Sequence, residues 1–333
     1  MSKFTGIRGR VWFKALTGKE TPMPGDPPSV LVADALIGDE NARFLCVVPD
    51  PDNRFPCARH GEVGLEQAYT LAARIREVVG RDELPLNREV PSGLGAKRPI
   101  IAIVDVKSQA YGRREEIAGI HLAAATAADA YATARFAGHP VITLIVGQAI
   151  SGGFLTHGYQ ANRLIAFADH DVLIHAMHKE PAARITRRTV GQLESLAKTV
   201  TPLSYDIRDY AKLGLLYKLL HVSNPEAPST DEISLLRNAL LEAIADTRKG
   251  PTDLRSRFET YVSKRKSLRT PGAPLPELLY RSEIEICADP RRDPSVARRR
   301  PETQRTRLAE DDPRLPAGHL PEICRRAREH SCG

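Results

Sequence analysis

Three short stretches in the middle of the chain carry residue types that could do chemistry at a spacing chemistry can use. The first is Gly147-Gln-Ala-Ile-Ser151-Gly152-Gly153. Consecutive glycines let a backbone approach a ligand closely, and N–H groups presented together at a helix start stabilise negative charge developing on an oxygen. The same residues also suit a tight strand-to-helix turn that needs small side chains for packing. Gln148 and Ala149 follow Gly147, so the run is not a G-x-G-x-x-G dinucleotide loop, and no Gly-Lys-Ser/Thr closes it as a P-loop would. Ala149-Ile-Ser-Gly-Gly153 has the outline of a nucleophile elbow around Ser151, but Ala149 stands where the elbow has glycine. Ser151 reads as a turn residue first and a nucleophile second.

The second stretch is Ser108-Gln109-Ala110-Tyr111-Gly112-Arg113-Arg114, which leaves the neighbouring strand at the equivalent end. Ligands of parallel sheets bind at the carboxyl ends of strands, which places both stretches at one cleft. Arg113 and Arg114 can hold a carboxylate or phosphate through charge-assisted hydrogen bonds. Their other reading is a solvated helix start, although arginine there opposes the helix dipole. The third stretch is His175-Ala-Met-His178-Lys-Glu180, at a strand end. A titratable histidine is the natural general acid near neutral pH, though most such histidines are simply packed or hydrogen-bonded. His-x-x-His has no third ligand here, and Cys57-Ala-Arg-His60 has no second pair, so no metal site is expected. The five cysteines (Cys46, Cys57, Cys287, Cys324, Cys332) show no paired spacing and read as reduced thiols. His121 and His157 fall on expected helices and read as structural.

These groups need elements to position them. Pro99–Val106 and Val141–Val146 are near-continuous apolar runs, the pattern of strands covered on both faces. Between them, Glu115–Ala137 reads as one long helix with an Ile117/His121/Ala124/Ala128/Tyr131 stripe, ending at Gly138. A shorter helix is expected over Phe154–Asn162, followed by strands Arg163–Ala168 and Val172–Met177. Upstream, Ser29–Ile37 and Arg43–Val48 flank a Gly38-Asp-Glu-Asn41 turn and predict a hairpin, and Gly64–Val79 predicts an amphipathic helix. Gly80–Lys97 reads as a long connection. Downstream, Thr189–Val200, Tyr205–Leu220 and Ser234–Arg248 have helical spacing. Strand, loop and helix in alternation mean an α/β fold with parallel pairing.

The 333 residues carry 48 Lys+Arg and 41 Asp+Glu, a formal charge of +7. Residues 291–333 hold eleven Arg, no Lys and seven acids, a net +4, which leaves +3 for residues 1–290. The basicity therefore sits on a Pro/Arg-rich tail, which reads as solvated and disordered and not as a nucleic-acid site. No apolar run approaches a membrane span, and the first ten residues have no apolar signal core, so a cytoplasmic protein without membrane or nucleic-acid partners is expected. The expected organisation is an N-terminal arm over 1–28, one domain over 29–270 and a disordered tail over 271–333.

Beyond these separate readings, a set of motifs resembles the gamma subunit of biotin-independent malonate decarboxylase. The set comprises Ile100–Asp105 with Ser108-Gln-Ala-Tyr-Gly-Arg-Arg-Glu-Glu116, Gly119-Ile-His-Leu122, Ala128-Asp-Ala-Tyr131, Gly138-His-Pro140, Ser151-Gly-Gly-Phe154, His157-Gly-Tyr-Gln-Ala-Asn-Arg163 and His175-Ala-Met177. Ser29-Val-Leu-Val-Ala-Asp34, Arg43-Phe-Leu45 and Gly61-Glu-Val-Gly-Leu65 fit as well, so the resemblance spans about Gly9 to Leu220. It stops short of the tail beyond about Ile284.

The resemblance implies a crotonase/carboxyltransferase-like ββα superhelix with a helical C-terminal part. It implies a subunit that, with a beta subunit, decarboxylates a malonyl thioester to an acetyl thioester and carbon dioxide. The substrate would ride on a CoA-like prosthetic group of an acyl carrier (delta) subunit, with no cofactor or metal bound by this chain. Ser151, Gly152, Gly153 and His175 become the expected catalytic residues. Gln109, Ala110, Tyr111, Gly112, Arg113, Arg114 and Gly147 become the expected substrate-binding residues. The resemblance leaves open whether glycine is required at position 153. Two alternatives stand beside it: a crotonase-fold serine hydrolase using Ser151, and a non-catalytic scaffold subunit whose glycine turn only packs against the beta subunit.

Overall fold

The computed structural model describes residues 6–83 and 97–267. The expected tail over 271–333 lies outside the described residues, as does most of the expected connection after Gly80.

Each long apolar run becomes a strand, and helices separate most of the strands along the chain. The chain opens with helix α1 (Ile7–Thr17), then a hairpin of β1 (Val30–Ile37) and β2 (Glu40–Val47) whose turn uses Gly38 at φ 60°. There follow a short strand β3 (Glu62–Val63), helix α2 (Leu65–Glu83), strand β4 (Ile100–Val106), a short strand β5 (Ser108–Gln109), and helices α3 (Arg113–Ile117) and α4 (Ile120–Phe136). Strand β6 (Val141–Ile150) runs directly into helix α5 (Ser151–Thr156), then come β7 (Arg163–Phe167) and β8 (Ile174–His175). Helices α6 (Lys179–Ile185), α7 (Val190–Ala197) and α8 (Ile207–Lys212), strand β9 (Lys218–Leu220) and helices α9 (Thr230–Lys249) and α10 (Arg255–Ser267) complete the described chain.

One sheet takes the order β1-β2-β4-β6-β7-β9, with β8 joining the end of β6. The β1–β2 pair is antiparallel and every other pair is parallel. The short strands β3 and β5 form a second, two-stranded parallel sheet. The unit strand, short strand, helix therefore occurs twice, as β2-β3-α2 and as β4-β5-α3/α4, the ββα repeat expected from the resemblance. All seven residues of β4 are buried, which is why the run PIIAIVDV has no polar face. Burying one such Ile or Val side chain is worth about 1.5–3 kcal/mol, so the central strands dominate the stability.

Several expectations need correction. Residues 7–17 are not part of an arm: α1 buries Trp12, Phe13 and Leu16 in the core, with the Trp12 ring 4.8 Å from Phe167 and its Nε1 donating to the Pro225 carbonyl at 2.9 Å. The expected helix over 115–137 is two helices, because Gly119 takes φ 85° and interrupts it. That break shifts the helical phase, so α4 buries Ile120, Ala123, Ala127, Ala130 and Tyr131, while Ile117 is 77% exposed and His121 is exposed. The expected helix over 205–220 is α8 followed by β9, which completes the sheet edge beside β7. The expected helix over 154–162 is instead α5, starting three residues earlier and ending at Thr156.

Arg43 illustrates how a charge survives inside this scaffold. Its fully buried guanidinium makes two hydrogen bonds to Asp34, at 2.6 and 2.9 Å, and further ones to Glu77 and the Arg74 carbonyl. Every donor direction that matters is matched, as a buried charge requires.

Candidate functional site

The site is built where β6 leaves the sheet. β4 and β6 pair in register up to Val104↔Ile145, and then the register jumps to Val106↔Ala149. One residue of β4 thus faces three of β6, a bulge beyond which Ala149 pairs with Val106 of β4 and with Ile174 of β8, and Ile150 with His175. Gly147 sits inside the bulge, not in an open loop as the sequence suggests: an added Cβ would overlap Asp105 Oδ1 and lie 2.5 Å from its Cγ. β6 continues to Ile150 and α5 begins at once with Ser151.

Ser151 holds φ 61°, a left-handed conformation that a serine adopts at a cost of about 1–3 kcal/mol. Its Oγ lies 2.6 Å from the Tyr111 hydroxyl, which is the contact that joins the two stretches singled out in the sequence. Gly152 and Gly153 follow in the first turn of α5, where N–H groups have no carbonyl four residues back within the helix. Both glycines pack closely against β5, Gly152 against a side chain and Gly153 against backbone. A Cβ on Gly152 would overlap Gln109 Oε1, and one on Gly153 would overlap the Ser108 carbonyl oxygen and lie 2.5 Å from its carbon. The obstacle at Gly153 is backbone, so even alanine forces the two turns apart.

The second stretch is pinned from below by the two-stranded sheet. Lys107 N–H donates to the Gly61 carbonyl at 3.1 Å and Ala110 N–H to the Val63 carbonyl at 3.0 Å, leaving Ala110 fully buried. Gln109 is half-buried over Gly152, and Tyr111 is 58% exposed apart from its hydroxyl contact. Gly112 is packed by the buried Glu115 carboxylate and by Cys57 Sγ, 2.8 Å from where a Cβ would stand. Arg113 and Arg114 are exposed, and neither makes an ion pair among the described residues. They lie two and three residues beyond Tyr111, in the first turn of α3.

His175 stands on the other flank, beside Ile150 in the ladder. Its ring stacks on Tyr205 with centroids 4.0 Å apart, and its Nδ1 lies 2.9 Å from the Met177 carbonyl, which also accepts from the Tyr205 hydroxyl at 2.6 Å. Burial lowers its pKa below the ordinary histidine value, against the opposing effect of the Met177 carbonyl. The Met177 N–H also reaches Nδ1, at 3.2 Å, so this nitrogen can donate to the carbonyl or accept from the amide, and the tautomer decides which ring nitrogen carries the proton. No hydrogen bond joins His175 to Ser151 among the described residues, so the serine–histidine couple that a hydrolase needs is not formed.

His157 is structural, as its place on the chain suggests. It is fully buried between the Tyr131 hydroxyl at Nδ1 (2.9 Å) and the Ile103 carbonyl at Nε2 (3.0 Å). Asp105 escaped the sequence reading. Its side chain lies 3% exposed in the apolar strand β4, a placement that could have flagged it, because a buried carboxylate must find donors.

Residues 58–270 match the family model described as malonate decarboxylase gamma subunit. The Malonomonas rubra malonyl-S-ACP:biotin-protein carboxyltransferase MADD is 31% identical over 224 residues, which is 67% of this chain and 71% of that protein. Among solved structures, a Pseudomonas malonate decarboxylase hetero-tetramer in complex with coenzyme A matches at 54% identity with a TM-score of 0.72, covering 78% of this chain and 95% of that one. A Pseudomonas MdcD-MdcE hetero-dimer matches at 55% identity and a TM-score of 0.69, covering 79% and 98%.

Proposed function

The chain belongs to the malonate decarboxylase gamma subunit family, and from that premise we propose that its site takes part in decarboxylating a malonyl thioester presented by an acyl carrier subunit. The beta subunit completes the site, and the complex acts in the cytoplasm. The thioester arm, CoA-like in chemistry, is substrate to this chain and not a resident group.

Decarboxylation breaks the bond between the carboxylate carbon and the α-carbon. The electron pair moves onto the thioester oxygen as an enolate, and carbon dioxide leaves. In this reading the Gly152 and Gly153 N–H groups stabilise that oxygen, because binding that appears only in the transition state lowers the barrier. Arg113 and Arg114 receive the malonyl carboxylate or phosphates of the arm. The enolate carbon then takes a proton and the carbonyl re-forms, giving the acetyl thioester. His175, whose pKa burial lowers below the ordinary histidine value, is a poor source of that proton at neutral pH. Tyr111 is the better donor: its hydroxyl lies 2.6 Å from Ser151 Oγ, and its 58% exposed side chain can regain the proton from solvent. The contact between these hydroxyls is the observation that carries the reading.

The deciding experiment is to purify the chain with its beta subunit and measure carbon dioxide released from malonyl-carrier. Release that needs both subunits supports the reading. Absence of release, or stoichiometric labelling of Ser151 by a fluorophosphonate, would overturn it in favour of a scaffold or a hydrolase respectively.

A further inference from the structure

Asp105 lies inside the bulge that aims the site, yet it is too buried to touch substrate. Its Oδ1 accepts the Gln148 N–H at 3.1 Å and its Oδ2 accepts the Gly9 N–H at 3.2 Å. The register jump between Val104 and Val106 is what leaves Gln148 N–H without a ladder partner on β4, and the carboxylate supplies that missing acceptor. One residue later, Ala149 N–H already donates to the Leu173 carbonyl at 2.8 Å, so Gln148 is the hinge between the β4 ladder and the β8 side. Gly147 leaves the space over its Cα that the carboxylate fills. Two residues beyond Ala149, Ser151 begins α5 in its left-handed conformation against Tyr111.

We propose that Asp105 is a positioning residue of this site: its carboxylate fixes the β6 bulge, and through it the placement of Ser151 against Tyr111. The inference deepens the proposed function and rests on it for its kinetic arm. The charged form is held against the cost of burial by two backbone N–H groups, one of them in the first turn of α1, where a negative charge is favourable. Burial nonetheless pushes the carboxyl above its ordinary pKa, with the Gln148 and Gly9 N–H groups working against that rise. Asparagine has the same shape but one acceptor oxygen, so it can satisfy only one of the two N–H groups and turns an NH2 toward the other.

The test uses the complex with the beta subunit carrying Asp105→Asn. The expected result is kcat reduced about tenfold to a hundredfold per assembled complex with KM changed less than about twofold, as for a misplaced catalytic group. Amide exchange over 146–153 is expected to quicken. If Asp105 served only to hold α1, exchange would quicken over 7–17 alone and kcat per assembled complex would be unchanged, which would overturn the proposal. Where Asp105→Asn yields no complex, Gly147→Ala, which keeps the carboxylate but displaces it, carries the same measurements. Loss of both variants to misfolding would make Asp105 a folding residue and overturn the proposal too. Exchange needs no substrate, so it decides on Asp105 even if the wild-type complex fails to decarboxylate, an outcome that instead removes the proposed function.

Discussion

The hydroxyls of Tyr111 and Ser151 lie 2.6 Å apart, although forty residues and a full helical crossover separate them in the chain. Tyr111 comes from the end of the small sheet and Ser151 from the end of the large one, so the pair exists only when both sheets are seated against each other.

Tyr111→Phe removes the phenolic proton and leaves the ring. If Tyr111 protonates the enolate carbon, kcat for malonyl-carrier falls about 10²-fold or more, in the range of a lost general acid, while KM stays near its wild-type value. Ser151→Ala keeps the phenol and should cost less than Tyr111→Phe. Steady-state kinetics of the two variants check this, and a dead Ser151→Ala beside an active Tyr111→Phe would return the hydrolase reading.

Gly153→Ala tests the backbone contact between α5 and β5. The added methyl meets the Ser108 carbonyl, which cannot rotate away as a side chain would. Such overpacking costs about 1–3 kcal/mol and is relieved here only by moving the two site turns apart. The expected outcome is a complex that assembles with a lower Tm and a kcat down by at least tenfold, on the scale at which small displacements of reacting groups matter. Thermal unfolding and kinetics on the same preparation check it.

How much of this was legible in the sequence follows from which forces are local. Runs such as Ile100–Val106 and Val141–Val146, short, rich in Val and Ile and apolar but for Asp105 and Thr143, read as strands covered on both faces. The meeting of the second stretch with the glycine run followed from strand polarity alone. The bulge at Asp105 was not legible, since it arises from a register jump between strands and no local pattern encodes pairing. α1 was missed because its apolar residues, Trp12, Phe13 and Leu16, form a narrow stripe on an otherwise basic segment. The phase of α4 was missed because one left-handed glycine, Gly119, rotates every residue after it relative to the stripe counted from Ile117.

His157 makes the fold sensitive to mild acid. Burial pushes its pKa down to about 4, against the Ile103 carbonyl, whereas the unfolded chain takes up that proton near pH 6.5. The unfolded state therefore binds more protons between those values. The stability that neutral His157 contributes is complete above about pH 6.5 and is lost as pH falls toward 4, by up to about 3 kcal/mol. Thermal unfolding from pH 7.5 to 4.5 should show this slope in the wild type. His157→Gln, which cannot protonate, should start lower at pH 7.5 and decline less over the same window. Parallel pH dependences would rule His157 out as the cause.

Arg113 and Arg114 are exposed and free of ion pairs among the described residues, so their removal should cost little stability, within about 0.5 kcal/mol. Their charge instead acts on what arrives. An Arg113→Ala/Arg114→Ala double variant is expected to raise KM for malonyl-carrier several-fold with kcat retained, and to flatten the dependence of kcat/KM on ionic strength, because rim charges act mainly on association. The two anions they could hold are separable by comparing carrier-bound malonyl with a malonyl thioester whose arm lacks phosphates. A KM increase for both substrates assigns the arginines to the malonyl carboxylate, and an increase for the carrier-bound substrate alone assigns them to the arm. Unchanged KM for both would mean that the two arginines belong to the solvated start of α3 and take no part in binding.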